Sequence, residues 1–294
     1  MTSNGSGLGG TLRRRKRTEV LFKALMIAST TLVIGSLLLI IGAVVWKSLP
    51  ALKLSMITRT PQGGFYLGKE GGILNAIAGS LYLGLGATVL AFLMSLPLAL
   101  YLNVYKRPGS RTAVATRFFL DVLWGVPSIV YGAFGFLVML FFGLRASLLA
   151  GILTVALLEF PIMSRAVDEV MRLVPRDLRD ASDSLGATRF ETAARVVFRQ
   201  CRPGILTAVL MAFGRGVGDA ASVLFTAGFT DRVPTSLLDP AATLPLAIFY
   251  QLGSPLPEVQ QRAYASAAVL TLIILLLSAA GRLVGRKYRR HVVK

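Results

Sequence analysis

Six long apolar runs separated by polar segments constrain this 294-residue chain more than any other feature. A hydrocarbon layer roughly 30 Å thick is crossed by about 20 helical residues, and each backbone group left unpaired in lipid costs several kcal/mol. The runs cover residues 21–46, 74–102, 118–142, 148–163, 204–229 and 264–284. The expectation is an all-α membrane protein with six transmembrane helices. Its parts are a tail at 1–20, a first helix and outer loop at 21–72, a transmembrane domain at 73–285 and a tail at 286–294. The fourth run is short and carries Glu159 and Pro161, so a helix break is expected there.

Hydrophobic residues make up 54% of the chain, which argues against a soluble globular protein. The first run follows Arg13, Arg14, Arg15, Lys16 and Arg17, like the basic region of a signal peptide. It is too long for a signal core and lacks a small-residue cleavage site, so an uncleaved helix is expected. A formal charge of +18 would ordinarily suggest nucleic acid, but here the basic residues alternate with apolar runs, the pattern of membrane orientation. Lysine and arginine concentrate at 13–23, 106–117, 165–202 and 282–294, which puts these segments and both termini in the cytoplasm. The outside then holds 47–73 and 230–262. The second of these carries Pro234, Pro240, Pro245, Pro255 and Pro257, which suggests an ordered cap over a pore rather than a helix. The first ten residues, with four glycines, read as a disordered tail.

Several classes of chemistry are excluded. The lone Cys201 forbids an intrachain disulfide, and with His291 as the only histidine a His/Cys metal cluster cannot form. No cofactor is expected, and there is no GxxxxGK[ST] loop, so ATP-driven work would be powered by another chain. This chain catalyses nothing by itself. No internal repeat at a fixed period is visible.

The polar block at 165–203 reads as two short helices. Pro175 suits a first helical turn, and Leu178, Ala181 and Leu185 fall on one face. Gly186 supplies a left-handed stop, and Thr188 to Glu191 fits a capping box that starts a second helix running toward Gln200 before Pro203. Two helices hinged at a glycine form a knob, either an amphipathic connector or a docking element for a cytosolic motor.

Arg215 and Asp219 lie i, i+4 in the fifth run. A charge at mid-bilayer costs from about 3 to above ~10 kcal/mol, so the pair needs a reason. It is either a self-neutralising ion pair or a solute site in which Arg215 attracts an oxyanion and Asp219 moderates the attraction. The base-first order is the weaker i, i+4 arrangement, which favours the second reading. Gly214, Gly216 and Gly218 allow close helix approach or backbone access to a solute, and without a preceding strand they are no nucleotide loop. Pro127 after Gly125 is expected to kink the third run, with Ser128 bonding a freed carbonyl. Asp121 is expected at the membrane interface.

Asp180-Ala181-Ser182, then Gly186-Ala187 and Pro203-Gly204-Ile205, resemble the E-A-A…G loop of permease subunits of bacterial ABC importers. Asp180 replaces the usual Glu, and Phe198-Arg199 the usual Leu-Pro. Further motifs resemble the phosphate-importer permeases: Gly125 to Val130, Leu224 to Ala227, and Ala242 to Pro245 with Ser254-Pro255 and Gln260-Gln261, the last closer to the A-type than the C-type. In that family Arg215 to Asp219 corresponds to an Arg-x-x-Gly-Glu stretch, so Asp219 again replaces Glu.

The resemblance implies a type I ABC importer permease architecture in the bacterial cytoplasmic membrane, with a cytoplasmic coupling helix that involves Asp180, Ala181, Ser182, Leu185, Gly186 and Ala187. It implies a phosphate pathway past Arg215, Asp219, Gly216, Gly218 and Ser128. The implied partners are a C-type phosphate permease subunit, two ATP-binding subunits, a periplasmic or lipid-anchored phosphate-binding protein and membrane lipid, with no nucleic acid. The alternatives are the same machine carrying sulfate, molybdate or a phosphonate, an ion-coupled secondary transporter, and a membrane signalling or scaffold protein.

Overall fold

A computed structural model describes residues 6–62, 70–107 and 109–288. Helix α1 (Ser6–Ser48) stands at the edge of the bundle and leans mainly on the last helix. After it come a short helix α2 (Leu54–Thr58) and a two-residue ribbon, β1 (Pro61–Gln62) antiparallel to β2 (Glu70–Gly71). Helix α3 (Leu74–Leu100) ends in a π-helical turn, Tyr101–Tyr105. Then follow α4 (Arg111–Trp124), α5 (Ser128–Phe141), α6 (Leu148–Arg172) and α7 (Arg176–Ser184). Helix α8 (Arg189–Glu191), a second π-helical turn (Thr192–Val197) and α9 (Phe198–Val217) form one continuous rod. Helices α10 (Leu244–Leu252) and α11 (Pro257–Tyr288) complete the chain.

Five helices are long and apolar enough to cross a membrane, and six crossings result if α4 and α5 count as one. The expected kink of the third run is a break: α4 and α5 meet at 96° across Gly125, Val126 and Pro127. Proline at 127 takes φ −58° just before α5 and donates no N–H there, so the chain turns where no helical bond is lost.

Helix α6 is the centre of the bundle, with 72% of its most apolar stretch buried. It faces α3 through small α3 residues, Gly86, Ala87, Ala91 and Ser95, which let the two backbones approach closely. Val155, Met163, Val167 and Met171 on α6 are all fully buried. That packing explains a departure from expectation: α6 runs straight through Pro161 to Arg172 instead of breaking. A proline inside a helix costs about 3 kcal/mol, less than is lost by unpacking a helix buried on most sides.

Three more expectations are corrected. The helix after the knob does not stop before Pro203 but passes through it to Val217. The fifth run therefore ends its helix there, and residues 218–229 form turns rather than helix. The outer segment 230–262 contains α10 and the start of α11, with Pro245 and Pro257 in first-turn positions where proline suits a helix. At the N-terminus helix is already present from Ser6, so of the expected disordered tail only residues 1–5 lie outside the described residues, as do 289–294 of the C-terminal tail.

Candidate functional site

Two regions carry the polar chemistry of the bundle, one at the α7 end and one where α9 ends. The knob at the first is built as the sequence leads one to expect. Gly186 adopts φ 77°, the Gly186 amide donates to Asp183 O at 3.0 Å and the Ala187 amide to Ser182 O at 3.2 Å. Those two bonds close a Schellman turn around α7, and only glycine adopts its left-handed residue without penalty. Thr188 and Glu191 then form a full capping box, and the Thr188 amide holds the Glu191 carboxyl below the ordinary carboxylate range.

Braces fix the knob to the bundle. Arg179 donates to Asn103 O at 2.7 Å and to Met171 O at 2.9 Å, tying α7 to the π turn after α3 and to the end of α6. The Ser182 and Thr192 hydroxyls share a hydrogen bond of 2.9 Å, tying α7 to the π turn before α9. The coupling residues named from sequence therefore divide. Asp180, Ala181, Leu185 and Gly186 are exposed and Ala187 is half-buried, whereas Ser182 is buried and fastens the knob from within. Leu178 also turns inward, so the expected apolar face splits, leaving Leu185 88% exposed and Phe190 71% exposed. The braced, polar knob thus holds two large apolar side chains outward.

Beside the knob lies a buried cluster that sequence reasoning missed. Asp168 of α6 is fully buried and accepts from Arg117 Nε at 2.8 Å, Arg117 Nη2 at 2.9 Å and Asn103 Nδ2 at 2.7 Å. Arg165 pairs with Asp168 at 3.4 Å and with Asp121 at 2.6 Å. Asp121 is thus one arm of a network that joins α4 to α6. In a chain with charges on every loop, nothing marks Asp168 as the buried one except its place on the inner face of α6.

At the second region Arg215 and Asp219 do not pair. Helix α9 stops between them, and among the described residues the ion pairs do not include this one. Asp219 is half-buried and accepts the Ser222 amide at 2.9 Å, capping the turn that follows. Arg215 is exposed on the outside of this chain, roughly 20 Å along the helix from Arg202 at 1.5 Å per residue. An arginine at that depth against lipid alone costs from about 3 to above ~10 kcal/mol, which favours a polar neighbour on this face.

The glycines divide as well. Gly214 has open space where a side chain would be, and Gly218 meets only its own helix, so both leave room around Arg215. Gly216 instead is buried, with the Glu159 carboxylate of α6 lying where its Cβ would be. Of the two uses expected for these glycines, Gly216 serves close approach of α9 to α6. Residues 219–227 run as turns at membrane depth, where irregular backbone survives only when covered by protein or lining a cavity. Here they are covered: a Cβ on Gly132 of α5 would meet the Ala221 and Ser222 carbonyls, and Ser222, Val223, Thr226 and Ala227 are buried. Ser128 lies one turn before Gly132 on the same face of α5, half-buried. The carbonyl freed at the break, Leu123 O, is taken by the Tyr131 hydroxyl at 2.8 Å rather than by Ser128.

Among the described residues no three His, Cys, Asp or Glu side chains gather as a metal site. The arrangement suits recognition of an anion at a pathway wall and mechanical attachment at the knob.

Residues 95–290 match the model of the binding-protein-dependent transport system inner membrane component. The chain is 34% identical over 280 residues to the phosphate transport system permease protein PstA of Yersinia pestis, covering 95% of this chain and 92% of that one. It is 34% identical to the PstA protein of Haemophilus influenzae (83% and 85% covered) and 37% identical to that of Mycobacterium leprae (70% and 67% covered). Among solved structures, the fold is similar to a chain of the inward-facing MetNI methionine ABC transporter, with TM-score 0.59 at 20% identity, covering 74% of this chain and 95% of that one. It is also similar to a chain of the bacterial alginate ABC transporter in complex with its oligosaccharide-bound periplasmic protein, with TM-score 0.60 at 15% identity, covering 96% and 99%.

Proposed function

Because the chain belongs to the family of binding-protein-dependent transport system inner membrane components, we propose that it is the permease half of an ATP-driven importer of inorganic phosphate. The observation that carries the substrate is Arg215: a cation at membrane depth, exposed on the outside of its own subunit and unpaired with Asp219, in a chain whose relatives are phosphate permeases over nearly their whole length. Facing outward, Arg215 is completed by a second permease subunit, for which the C-type phosphate permease is the candidate. Of two ATP-binding subunits, one docks on the exposed α7 knob at Asp180, Ala181, Leu185 and Gly186, and a periplasmic or lipid-anchored phosphate-binding protein delivers from the other side.

The lysine and arginine bias supports an orientation with both termini and the knob in the cytoplasm. ATP-driven closure below pulls on α7. The Arg179 and Ser182 braces carry that motion to α6 and to the base of α9, which turns the wall that holds Arg215. Arg215 draws in a partly dehydrated phosphate, and nearby Asp219 limits how tightly it is held, since conduction requires release. A carboxylate also accepts a proton-bearing phosphate oxygen, which sulfate at neutral pH does not offer.

The test is reconstitution of this chain with its partner subunits and binding protein in liposomes. ATP-dependent accumulation of labelled phosphate, undiminished by excess sulfate or molybdate, is the expected result. Uptake competed fully by sulfate would reassign the substrate, and uptake without any ATP-binding subunit would overturn the machine.

A further inference from the structure

We propose that Glu159 of α6 is the internal counter-charge that captures Arg215 as the transported anion leaves, a positioning residue for release. The inference rests on Arg215 being the anion contact. Glu159 is fully buried, and neither carboxylate oxygen accepts a well-formed hydrogen bond from a described residue, the Thr88 hydroxyl of α3 being the polar group beside it. Its Oε1 lies against Gly216, the immediate neighbour of Arg215. A buried carboxyl on α6, which takes its charge only when a cation reaches it, and a guanidinium on α9 thus lack good partners and stand one α9 position out of register. A carboxylate kept only for packing would have its oxygens satisfied, as those of Asp168 are.

The rod that carries Arg215 holds a means of correcting the register. The π turn Thr192–Val197 contains one residue more than an α turn, and such turns concentrate at functional sites. Its base is held by the Thr188–Glu191 capping box and by the Ser182–Thr192 contact. If the π turn closes into regular α-helix with that base fixed, everything beyond advances by one position, roughly 100° and 1.5 Å. Arg215 then comes to the place Gly216 now holds, facing Glu159. Residues 218–221, which are helix-free and not buried, take up the displacement before the covered turns begin. A side chain in that place overlaps Glu159 Oε1, so the carboxylate swings aside to meet the guanidinium, and the long arginine side chain pairs after a partial turn. Outward, Arg215 serves the anion. Inward, it serves Glu159 and the anion is left without its cation.

In the assembled complex in liposomes, Glu159→Gln keeps the shape and removes the charge. It is expected to lower the maximal rate of ATP-driven phosphate uptake by about tenfold, within the range of typical couplings between two states. The KM for phosphate should stay level or fall, because release and not capture is impaired, and Glu159→Asp should recover part of the rate. Unchanged uptake by Glu159→Gln, or a raised KM with an unchanged maximal rate, overturns the inference. A register measurement stands beside it. In a Cys201→Ser background, Glu159→Cys combined with Gly216→Cys should cross-link in the nucleotide-free complex, and combined with Arg215→Cys should cross-link after trapping with ATP and vanadate. Cross-linking of 159 to 216 in every nucleotide state and to 215 in none overturns the register shift. Cross-linking reads α9 and not the anion, so failure of the unsubstituted complex to take up phosphate would refute the substrate separately.

Discussion

The Asp168 cluster and the Arg215–Glu159 region are both polar insertions into an apolar bundle, yet they are built on opposite plans. Asp168 has each oxygen engaged by Arg117, Asn103 or Arg165, and the groups come from the π turn after α3, from α4 and from α6. Arg215 faces outward, and Glu159 is sealed in without a good partner one residue away. A fully satisfied buried network rigidifies, whereas buried polar groups without partners raise the energy of the state that contains them and favour a change. The difference separates a part that fastens from a part that moves, and both are connected to the α7 knob.

That comparison is tested most severely at Asp168. Asp168→Ala leaves Arg117 and Asn103 without their acceptor and should cost about 3–5 kcal/mol, the usual result of breaking a buried pair from one side. Thermal unfolding in detergent and the amount of protein in the membrane would measure it, and a variant as stable as the parent would remove the fastening role. Arg215→Gln should do the reverse. Stability should hold while uptake falls at least about a hundredfold, the scale of losing a charge-assisted contact worth ~3 kcal/mol. Adding Asp219→Asn should not restore uptake, and recovery in the double variant would return the two residues to a structural role.

A smaller effect is expected at the knob. Gly186→Val forces a β-branched side chain into φ 77°, costing about 1–2 kcal/mol locally. ATP-coupled uptake should be lost with the chain still in the membrane, and normal uptake at parental abundance would sever the knob from the moving part. The mildest effect concerns the Glu191 cap. Its folded pKa is depressed by the Thr188 amide, so its contribution is present above the unfolded glutamate value and is lost as pH falls through the lower folded value. Amide exchange at the start of α8 should quicken only on acidification, and exchange that quickens toward alkaline pH beyond the intrinsic trend would contradict the cap.

The sequence carried the local signals well and the tertiary ones poorly. Gly186 and the Thr188–Glu191 box were readable because each is encoded within five residues. The run through Pro161 and Pro203 was not, because local rules weigh a proline without the packing that outweighs it. Arg215 and Asp219 were misread as one helical face because where α9 ends depends on α5 and α6 enclosing residues 219–227. Cys201, the lone thiol, is a natural choice for labelling the topology, but it is buried with its thiol toward Val170 O at 3.6 Å. Leu185→Cys on the exposed knob is the better probe. Glu159 was visible in the sequence as a charge in an apolar run, but only the packing of Gly216 gave it a neighbour.

The lean of α1 on α11 has a consequence for synthesis. The Lys47 ammonium donates to the Tyr264 hydroxyl at 3.2 Å, across a separation of 217 residues. At about 5–20 residues per second, the ribosome needs roughly 10–40 s after α1 emerges before that neighbour exists. Through that interval the first helix waits in the bilayer as a single anchor, exposed to lipid and to any other newly inserted helix. Its main neighbour is α11, so any truncation that removes α11 also strands α1.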